Sequence, residues 1–267
     1  MEYNLKITMA DPAGNRTAFA EGDVPPEQYA AVGAALLKDQ ELSAEQAGFV
    51  RPALSSGAGR LEMMGGEFCG NAARSFGLWL GVLAGKKSGD TVPIEISGSS
   101  SVLDVLLEEN GSWISMPLPE RIIDIAVVDD TGTTLCFPAV VLEGITHVIL
   151  ENTEVSEELA RTVVEKAVEI TNAEAAGAIF VEQDHMTPFV WVRATDSFIW
   201  ESSCGSGTLA ATLWLGRDVK EGEFTQELIQ PGGVLKAGFS VKDGKITSAR
   251  IGGPVTLEEP VMKTIIL

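Results

Sequence analysis

Two cysteines, Cys69 and Cys204, stand out because each precedes a glycine at the start of a similar apolar segment. They lie 135 residues apart in a chain of 267 residues, which is close to half its length. The first segment reads CGNAARSFGLWLG and the second reads CGSGTLAATLWLG, so both begin with Cys-Gly and end with Leu-Trp-Leu-Gly. This repetition predicts two similar halves related by a pseudo-two-fold axis.

A cysteine at the start of a helix has a specific chemistry. The unpaired N–H groups and the positive end of the helix dipole favour the thiolate and also bind a carboxylate. The glycine after each cysteine lets an anion approach the backbone closely. Two such turns facing each other across a cleft would place one sulfur on each side of the α-carbon of a bound amino acid. This arrangement predicts racemisation or epimerisation by two bases, in which one thiolate removes the α-proton and the other thiol delivers a proton to the opposite face.

The pattern along the chain predicts many short strands and few helices. Helical spacing and capping residues predict helices over residues 26–38, 71–84 and 157–170, the last with Ser156 as its N-cap. The segments after the two cysteines are interpreted as uncharged helices that are apolar on nearly every face, which is typical of a buried helix. Runs rich in β-branched and aromatic residues predict strands at 5–9, 47–50, 92–96, 102–107, 139–142, 147–150, 178–182, 189–193, 234–241 and 246–251.

These elements predict an α+β fold in which strands wrap a buried helix in each half. The first half is expected to cover residues 1–119 and to carry Cys69, and the last strand, at about 258–267, is allowed to return to it. The second half is expected to cover residues 120–257 and to carry Cys204. The Met-Pro-Leu-Pro stretch at 116–119 is interpreted as the linker between the halves.

Composition excludes several classes of protein. The formal net charge is −19, which disfavours binding to nucleic acid or to an anionic membrane surface. Three cysteines and two histidines predict neither a disulfide framework nor a four-ligand zinc site without added carboxylates, so no metal is expected. No signal peptide and no membrane-spanning run is recognised, and the chain is interpreted as cytoplasmic, in a reducing compartment.

Other residues that could carry chemistry have simpler interpretations. Cys136 is interpreted as an inert, small buried hydrophobe, and His147, in an apolar strand, as a satisfied core histidine. His185 is interpreted as a solvated turn residue. Tight turns are expected at the glycine pairs 65–66, 232–233 and 252–253, and solvated charges at the acidic pairs 108–109 and 129–130. No cofactor is expected, because no lysine stands in a context typical of pyridoxal phosphate, although inspection leaves a Schiff-base lysine open.

The two cysteine segments, together with PAGNRT at 12–17 and QPGG at 230–233, resemble the diaminopimelate epimerase superfamily. That superfamily comprises cofactor-independent racemases and epimerases that use two cysteines and are built from two similar halves. A more specific resemblance, carried by EQAGF at 45–49, GEFCGNA at 66–72 and IWESSCGSGT at 199–208, is to the histidine racemases that supply D-histidine for staphylopine-type metallophores.

The resemblance implies a fold and a set of site residues. Each half would be a strand-rich, barrel-like sheet around a central helix, with the active site in the cleft between the halves. Cys69 and Cys204 would be the two catalytic bases, and Asn15 would contact the substrate near its α-carbon. The supporting residues near the cysteines would be His147 and Glu201, and the α-carboxylate would bind the N–H groups of Gly70, Asn71, Gly205 and Ser206. The partner would be a small amino acid, and relatives suggest a homodimer.

Departures from the superfamily pattern bear on the substrate. Diaminopimelate epimerases carry an arginine where Ser202 stands and an asparagine where Ile145 stands, and a further asparagine gives way to the Met63–Met64 region. The distal head of diaminopimelate would therefore lack partners, which disfavours it as substrate. Glu45 and Gln46 are then the candidates for binding an imidazole N–H or a cationic head. An interpretation of Glu45 as a solvated charge before a strand has nearly equal weight.

Several functions stay open at this point. The expected substrate is histidine, with diaminopimelate or another basic amino acid as the alternative. The phenazine-type branch of the fold generally lacks the paired cysteines, and the proline racemase branch carries histidine where Asn71 stands. A carboxylate-binding protein without activity is the alternative outside enzymes, but it would not need two thiols.

Overall fold

The computed structural model describes residues 1–128, 131–193 and 196–267. The chain forms two compact units, of which unit 1 comprises Met1–Ser115 with Gly252–Leu267 and unit 2 comprises Met116–Ile251. The sequence places these divisions a few residues later, after residues 119 and 257. The acidic pair Asp129–Asp130, for which solvated charges are predicted, lies outside the described residues.

The described residues form an α+β structure that is rich in strands and has few helices, which confirms the predicted fold class at this level. The α-helices in these residues are α1 (Tyr29–Lys38), α2 (Gly70–Leu83), α3 (Glu157–Thr171) and α4 (Gly205–Leu215), and a short 3-10 turn, Pro26–Gln28, precedes α1. The strands are β1 (Glu2–Asp11), β2 (Thr17–Glu21), β3 (Gln46–Arg51), β4 (Arg60–Met63), β5 (Thr91–Ile96), β6 (Leu103–Glu108), β7 (Gly111–Ser115), β8 (Arg121–Val128), β9 (Thr134–Leu142), β10 (Ile145–Glu151), β11 (Ala175–Glu182), β12 (His185–Val192), β13 (Ser197–Trp200), β14 (Gly222–Gln230), β15 (Gly233–Lys242), β16 (Lys245–Pro254), β17 (Thr256–Leu257) and β18 (Val261–Ile266).

Unit 1 is organised around α2. Strand β1 pairs antiparallel with β2 and β18, β2 runs parallel to β3, and β5, β6 and β7 follow one another antiparallel. Helix α2 packs against β1, β5, β6 and β7, and its Phe76 meets Phe19 edge to face with ring centroids 5.7 Å apart. The last strand, β18, belongs to unit 1 because it pairs with β1 along its length.

Helix α2 begins where the sequence predicts but differs in one respect. Its N-cap is Cys69, in an extended conformation, and its first turn is buried because the residues after the cap are small or apolar. The segment is not uncharged, however, since it carries Arg74, whose side chain is completely buried. The expectation of an uncharged helix is therefore wrong. The charge can be buried because backbone carbonyl groups from parts of unit 1 that are distant in sequence accept hydrogen bonds from the guanidinium.

In the described part of unit 2, one helix packs on the sheet with one face and another is buried on most sides. Strands β10 and β11 run parallel to each other, and each pairs antiparallel with a further strand, β10 with β9 and β11 with β12. Strand β14 pairs antiparallel with β15. Helix α3 packs on β8, β10 and β11 with one face, and Ser156 caps it as predicted by accepting a hydrogen bond from Leu159 N. Helix α4 contacts β9, β10 and β15, and most of its residues are buried, as its apolar sequence predicts.

Two minor predictions are wrong. Cys136 is exposed rather than buried, because β9 alternates here and turns the neighbouring Leu135 and Phe137 towards the core. The glycine pair Gly252–Gly253 lies in β16 and not in a turn. Glycine is needed at the first of these positions because a Cβ there would overlap the Trp113 ring. His185 is exposed, as predicted.

The Gly111→Ala substitution is expected to destabilise unit 1. A Cβ at residue 111 would overlap the carbonyl oxygen of Gly253, which is backbone and cannot rotate away. We expect a loss of about 2–3 kcal/mol in the free energy of unfolding, measured by urea denaturation. The control is Ser115→Ala at the exposed end of the same strand, which should change stability by less than about 0.5 kcal/mol. Equal stability of the two variants would contradict the close approach.

Candidate active site

The turn that carries Cys69 presents its sulfur at the start of α2. Cys69 has φ −130° and ψ 112°, and its Sγ accepts a hydrogen bond from Ala72 N at 3.5 Å. The thiol is half-buried, whereas Gly70 and Asn71, the predicted carboxylate-binding residues, are buried. The sulfur therefore lies where the free N–H groups of the first helical turn converge, which is the arrangement that favours a thiolate.

A polar cluster surrounds this sulfur. The Gln46 side chain donates from Nε2 towards Cys69 Sγ at 3.4 Å, Asn15 Oδ1 at 2.7 Å and Thr17 Oγ1 at 2.8 Å. In its protonated form Cys69 donates to Asn15 Oδ1 at 3.7 Å. The structure thus brings the predicted residues Asn15, Gln46 and Cys69 into one cluster. The Gln46 amide has two protons, and its two shortest contacts hold Asn15 and Thr17 beside the thiol.

The loop before β2 is built to present Asn15. Asn15 has φ 60°, a left-handed conformation that asparagine tolerates better than most residues. The preceding Gly14 N donates to Asp11 Oδ1 at 2.8 Å, and Asn15 N donates to Glu45 Oε1 at 3.1 Å. Glu45, predicted to bind the substrate side chain, is an exposed residue whose carboxylate holds this loop.

Sequence reasoning missed Arg74, which follows Cys69 by five residues on α2. Its Nε donates to Asn71 Oδ1 at 3.2 Å, and its two terminal nitrogens donate to the carbonyl oxygens of Gly253 at 2.8 Å and Pro12 at 2.9 Å. Burial lowers the pKa of Arg74 to about 9, although the nearby Cys69 sulfur acts to raise it. A single charged residue inside an apolar helix was the signal that could have found it.

Two opposing effects act on the Cys69 thiol. Burial raises its pKa, because the thiolate loses hydration, and the negative charge of Glu67 raises it further. Hydrogen bonds from Ala72 N, from Gln46 and from Asn71 N lower it, because they stabilise the thiolate. Burial dominates, so the pKa of the Cys69 thiol lies above its ordinary value.

In unit 2, Cys204 occupies the same position at the start of α4. It has φ −125° and ψ 108°, and its Sγ accepts a hydrogen bond from Gly207 N at 3.4 Å. Gln230 fixes the turn, because its Oε1 accepts from Cys204 N at 2.8 Å and its Nε2 donates to Thr208 Oγ1 at 2.9 Å. Gln230 is the first residue of the QPGG motif, so the motif contributes to the cysteine turn through these two hydrogen bonds.

A buried histidine reaches the Cys204 turn through a hydroxyl group. His147 Nε2 lies 2.9 Å from Ser206 Oγ, which in turn lies 3.6 Å from Cys204 Sγ. The other ring nitrogen, Nδ1, has no hydrogen-bond partner among the described residues. Burial lowers the pKa of His147 to about 3, so the ring is neutral at physiological pH. Ser206 was predicted for its N–H group, and its hydroxyl role was not.

Glu201 makes the Cys204 thiol a weaker acid. Burial is the largest cause that raises the pKa of Cys204 well above its ordinary value. The Glu201 carboxylate adds to this, both by its charge and by accepting a hydrogen bond from the thiol, whereas Ser206 and Gly207 N oppose it. Unit 2 therefore brings together the predicted residues His147, Glu201, Cys204 and Ser206, with Gly205 as the first residue of α4.

The two cysteine turns share one local chemistry. Each holds a sulfur against the N–H group three residues ahead, and each leaves a small residue where a carboxylate would approach. In the described ranges no group of three or more His, Cys, Asp or Glu side chains has the arrangement of a metal site. None of the helices in those ranges is long and apolar enough to cross a membrane.

The fold has known counterparts among solved structures. It is similar to a phenazine biosynthesis protein of the PhzF family from Bacillus anthracis, with a TM-score of 0.69 and 13% identity over 100% of both chains. It is also similar to a hydroxyproline epimerase from Agrobacterium vitis, with a TM-score of 0.68 and 14% identity, covering 98% of this chain and 93% of the other. At this identity the likeness establishes the fold.

Sequence relatives define the class of protein. A histidine racemase from Fusobacterium nucleatum is 33% identical over 245 residues, which cover 87% of this chain and 88% of the relative. A histidine racemase from Staphylococcus aureus is 22% identical and covers 86% and 87% of the two chains. The protein is thus an isomerase of the amino-acid racemase class. Residues 4–259 match the sequence profile of the histidine racemase CntK N-terminal domain, and the chain belongs to that family.

Proposed function

We propose that the protein is a histidine racemase that works without a cofactor and uses Cys69 and Cys204 as its two bases. The observation that carries this proposal is the presence of a cysteine N-cap at the start of both α2 and α4, with nearly equal backbone angles and the same hydrogen bond to the sulfur. The family and the histidine racemases among the relatives favour histidine over other amino acids. The two units are interpreted as pseudo-two-fold-related halves, each with a barrel-like sheet around its central helix.

The proposed reaction moves one proton off the α-carbon and another onto it. The thiolate of one cysteine takes the α-proton and becomes a thiol, and the electron pair of the broken C–H bond delocalises onto the carboxylate. The N–H groups of Gly70 and Asn71, with those of Gly205 and Ser206, bind that carboxylate and stabilise its growing charge. The thiol of the other cysteine then gives its proton to the opposite face and becomes a thiolate. This mechanism requires both sulfurs to reach one α-carbon.

The supporting residues have distinct proposed roles. Asn15 lies within hydrogen-bonding reach of Cys69 and is proposed to contact the substrate near its α-carbon. His147, through Ser206, and Glu201 are proposed to set the protonation of Cys204. Binding of the substrate side chain by Glu45 and Gln46 stays a prediction. We also propose that the protein is cytoplasmic and forms a homodimer.

The proposed substrate is tested by α-proton exchange in heavy water over a panel of L-amino acids. We expect exchange and racemisation of histidine to be at least about tenfold faster than those of arginine, lysine, proline or diaminopimelate, because a site for one side chain leaves others with unpaired groups. Exchange on diaminopimelate without exchange on histidine would overturn the proposed substrate. Binding of histidine without exchange on any amino acid would favour a carboxylate-binding protein.

A further inference from the structure

The buried guanidinium of Arg74 is the charged group that the proposed mechanism does not yet use. Its side chain is completely buried, and no carboxylate of the described residues forms an ion pair with it. Its contacts are carbonyl oxygens and the Asn71 amide, all of which are uncharged. A buried cation without a counter-charge is costly, and a group that becomes negative nearby would offset part of that cost.

In the proposed mechanism Cys69 becomes negative when it acts as a base. Arg74 follows it by five residues, and the charge of the Cys69 thiolate acts on Arg74 to raise its pKa. A physical connection also exists, because Arg74 binds the Asn71 side chain while the Asn71 N–H group is directed at Cys69 Sγ. Attraction between two charges is reciprocal, so a thiolate that favours the guanidinium is itself favoured by it.

Charges on the neighbouring strands do not replace Arg74 in this role. On the strands that pack against α2, three acidic side chains already accept hydrogen bonds from other groups: Asp11 on β1, Glu95 on β5 and Glu108 on β6. Asp11 binds Gly14 N, Glu95 accepts from the loop at Leu54–Gly57, and Glu108 accepts from Trp113 Nε1. The remaining charged side chains of these strands, Glu2, Lys6 and Asp104, are exposed, and Glu67 opposes the thiolate from the loop before Cys69.

The other cysteine turn has no arginine at the corresponding position. The residue five positions after Cys204 is Leu209, which is apolar and buried. The charged group beside Cys204 is the Glu201 carboxylate, which favours the thiol. The two thiols therefore have similar backbone geometry, and each has a carboxylate nearby, Glu67 or Glu201, but the Cys69 turn also has the Arg74 guanidinium.

We propose that Arg74 is a positioning residue that makes Cys69 the more acidic of the two cysteines, so that the singly deprotonated enzyme carries its thiolate on Cys69 and its mobile proton on Cys204. The inference rests on the proposed role of both cysteines as bases. In the first turnover Cys69 would take the α-proton and Cys204 would release its own to the opposite face. The enzyme would then return to its resting state by passing a proton from Cys69 to solvent and taking one up at Cys204.

The test measures the pH dependence of alkylation by iodoacetamide at Cys69 alone. In a Cys136→Ser/Cys204→Ser background, Arg74→Met is expected to raise the pH midpoint of Cys69 alkylation by about one unit, and so to slow alkylation about tenfold near neutral pH. Arg74→Lys keeps the charge, and its midpoint should stay close to that of the parent. Both variants lose hydrogen bonds to Gly253 and Pro12, so a merely structural role would lower both melting temperatures and leave both midpoints unchanged. That result, or equal midpoint shifts in both variants, would overturn the inference.

A second measurement covers the case in which Arg74→Met does not fold. With arginine in place, the midpoint for Cys69 in a Cys204→Ser protein should be lower than the midpoint for Cys204 in a Cys69→Ser protein. An equal or lower midpoint for Cys204 would overturn the inference. Alkylation needs no substrate, so this outcome is independent of the amino-acid panel. Failure of histidine in that panel would instead overturn the proposed function.

Discussion

Replacing either Cys69 or Cys204 with serine is expected to abolish racemisation of histidine while leaving the protein folded. A serine hydroxyl is a far weaker acid than a thiol, so neither proton abstraction nor proton delivery can proceed at the altered position. We expect the rate of racemisation, followed by circular dichroism, to fall at least about 10³-fold in each variant. The substitution is nearly isosteric, and each serine can keep the N-cap hydrogen bond that the sulfur makes now.

A finer readout distinguishes the two bases. A variant that keeps one thiolate can still remove an α-proton and return a deuteron to the same face, which gives exchange without inversion. Cys69→Ser and Cys204→Ser should therefore retain exchange on opposite enantiomers of histidine. The matched control is Cys136→Ser, since Cys136 is exposed on β9, and it should racemise histidine at the parent rate. Retained racemisation in either active-site variant would contradict the two-base mechanism.

Mild acid is expected to destabilise the protein through His147. Its pKa is about 3 in the folded state, below the ordinary value near 6.5, because burial disfavours the charged ring. Between these two values the unfolded chain binds more protons than the folded one, so stability falls as pH falls. The contribution is fully present above about pH 6.5, and we expect about 2 kcal/mol of it to be lost at about pH 5.

The measurement is urea denaturation at about pH 7.5 and about pH 5. His147→Asn removes the titrating ring. Between the two pH values the free energy of unfolding of this variant should therefore fall by about 2 kcal/mol less than that of the parent. The variant is expected to be less stable than the parent at the higher pH, because Asn fills the site less well. His185→Asn is the control at an exposed position and should keep the parent's pH dependence. Equal pH dependence of His147→Asn and the parent would contradict the buried, neutral ring.

Strands with a clear period and helices with clear caps were predictable from the sequence. Each predicted strand overlaps an observed one, and the Ser156 cap of α3 is confirmed, because local pattern and local hydrogen bonding determine these features. The strands that were missed include β2, β4, β8 and β14. The first two are short, and β14 (Gly222–Gln230) carries acidic residues at its exposed positions, which obscures its alternation.

The cysteine positions were predictable, whereas their surroundings were only partly so. Both sulfurs lie at helix N-caps, as the Cys-Gly motif followed by an apolar run predicts. The Arg74 contacts could not be predicted, because its acceptors at Pro12 and Gly253 are distant in sequence and are carbonyl groups, which every residue has. The exposure of Cys136 likewise depends on which way β9 faces, and residue type alone does not decide that.

The return of the last residues to unit 1 affects the order in which the protein can be completed. Unit 2 is continuous in sequence, from Met116 to Ile251, so it can fold while the following residues are still being synthesised. Unit 1 lacks β18 and the acceptor carbonyls at Gly253 and Pro254 until the ribosome has added the segment Gly252–Leu267. A nascent chain halted before that segment would therefore leave Arg74 without its two acceptors at Gly253 and Pro254, although unit 2 could already be native.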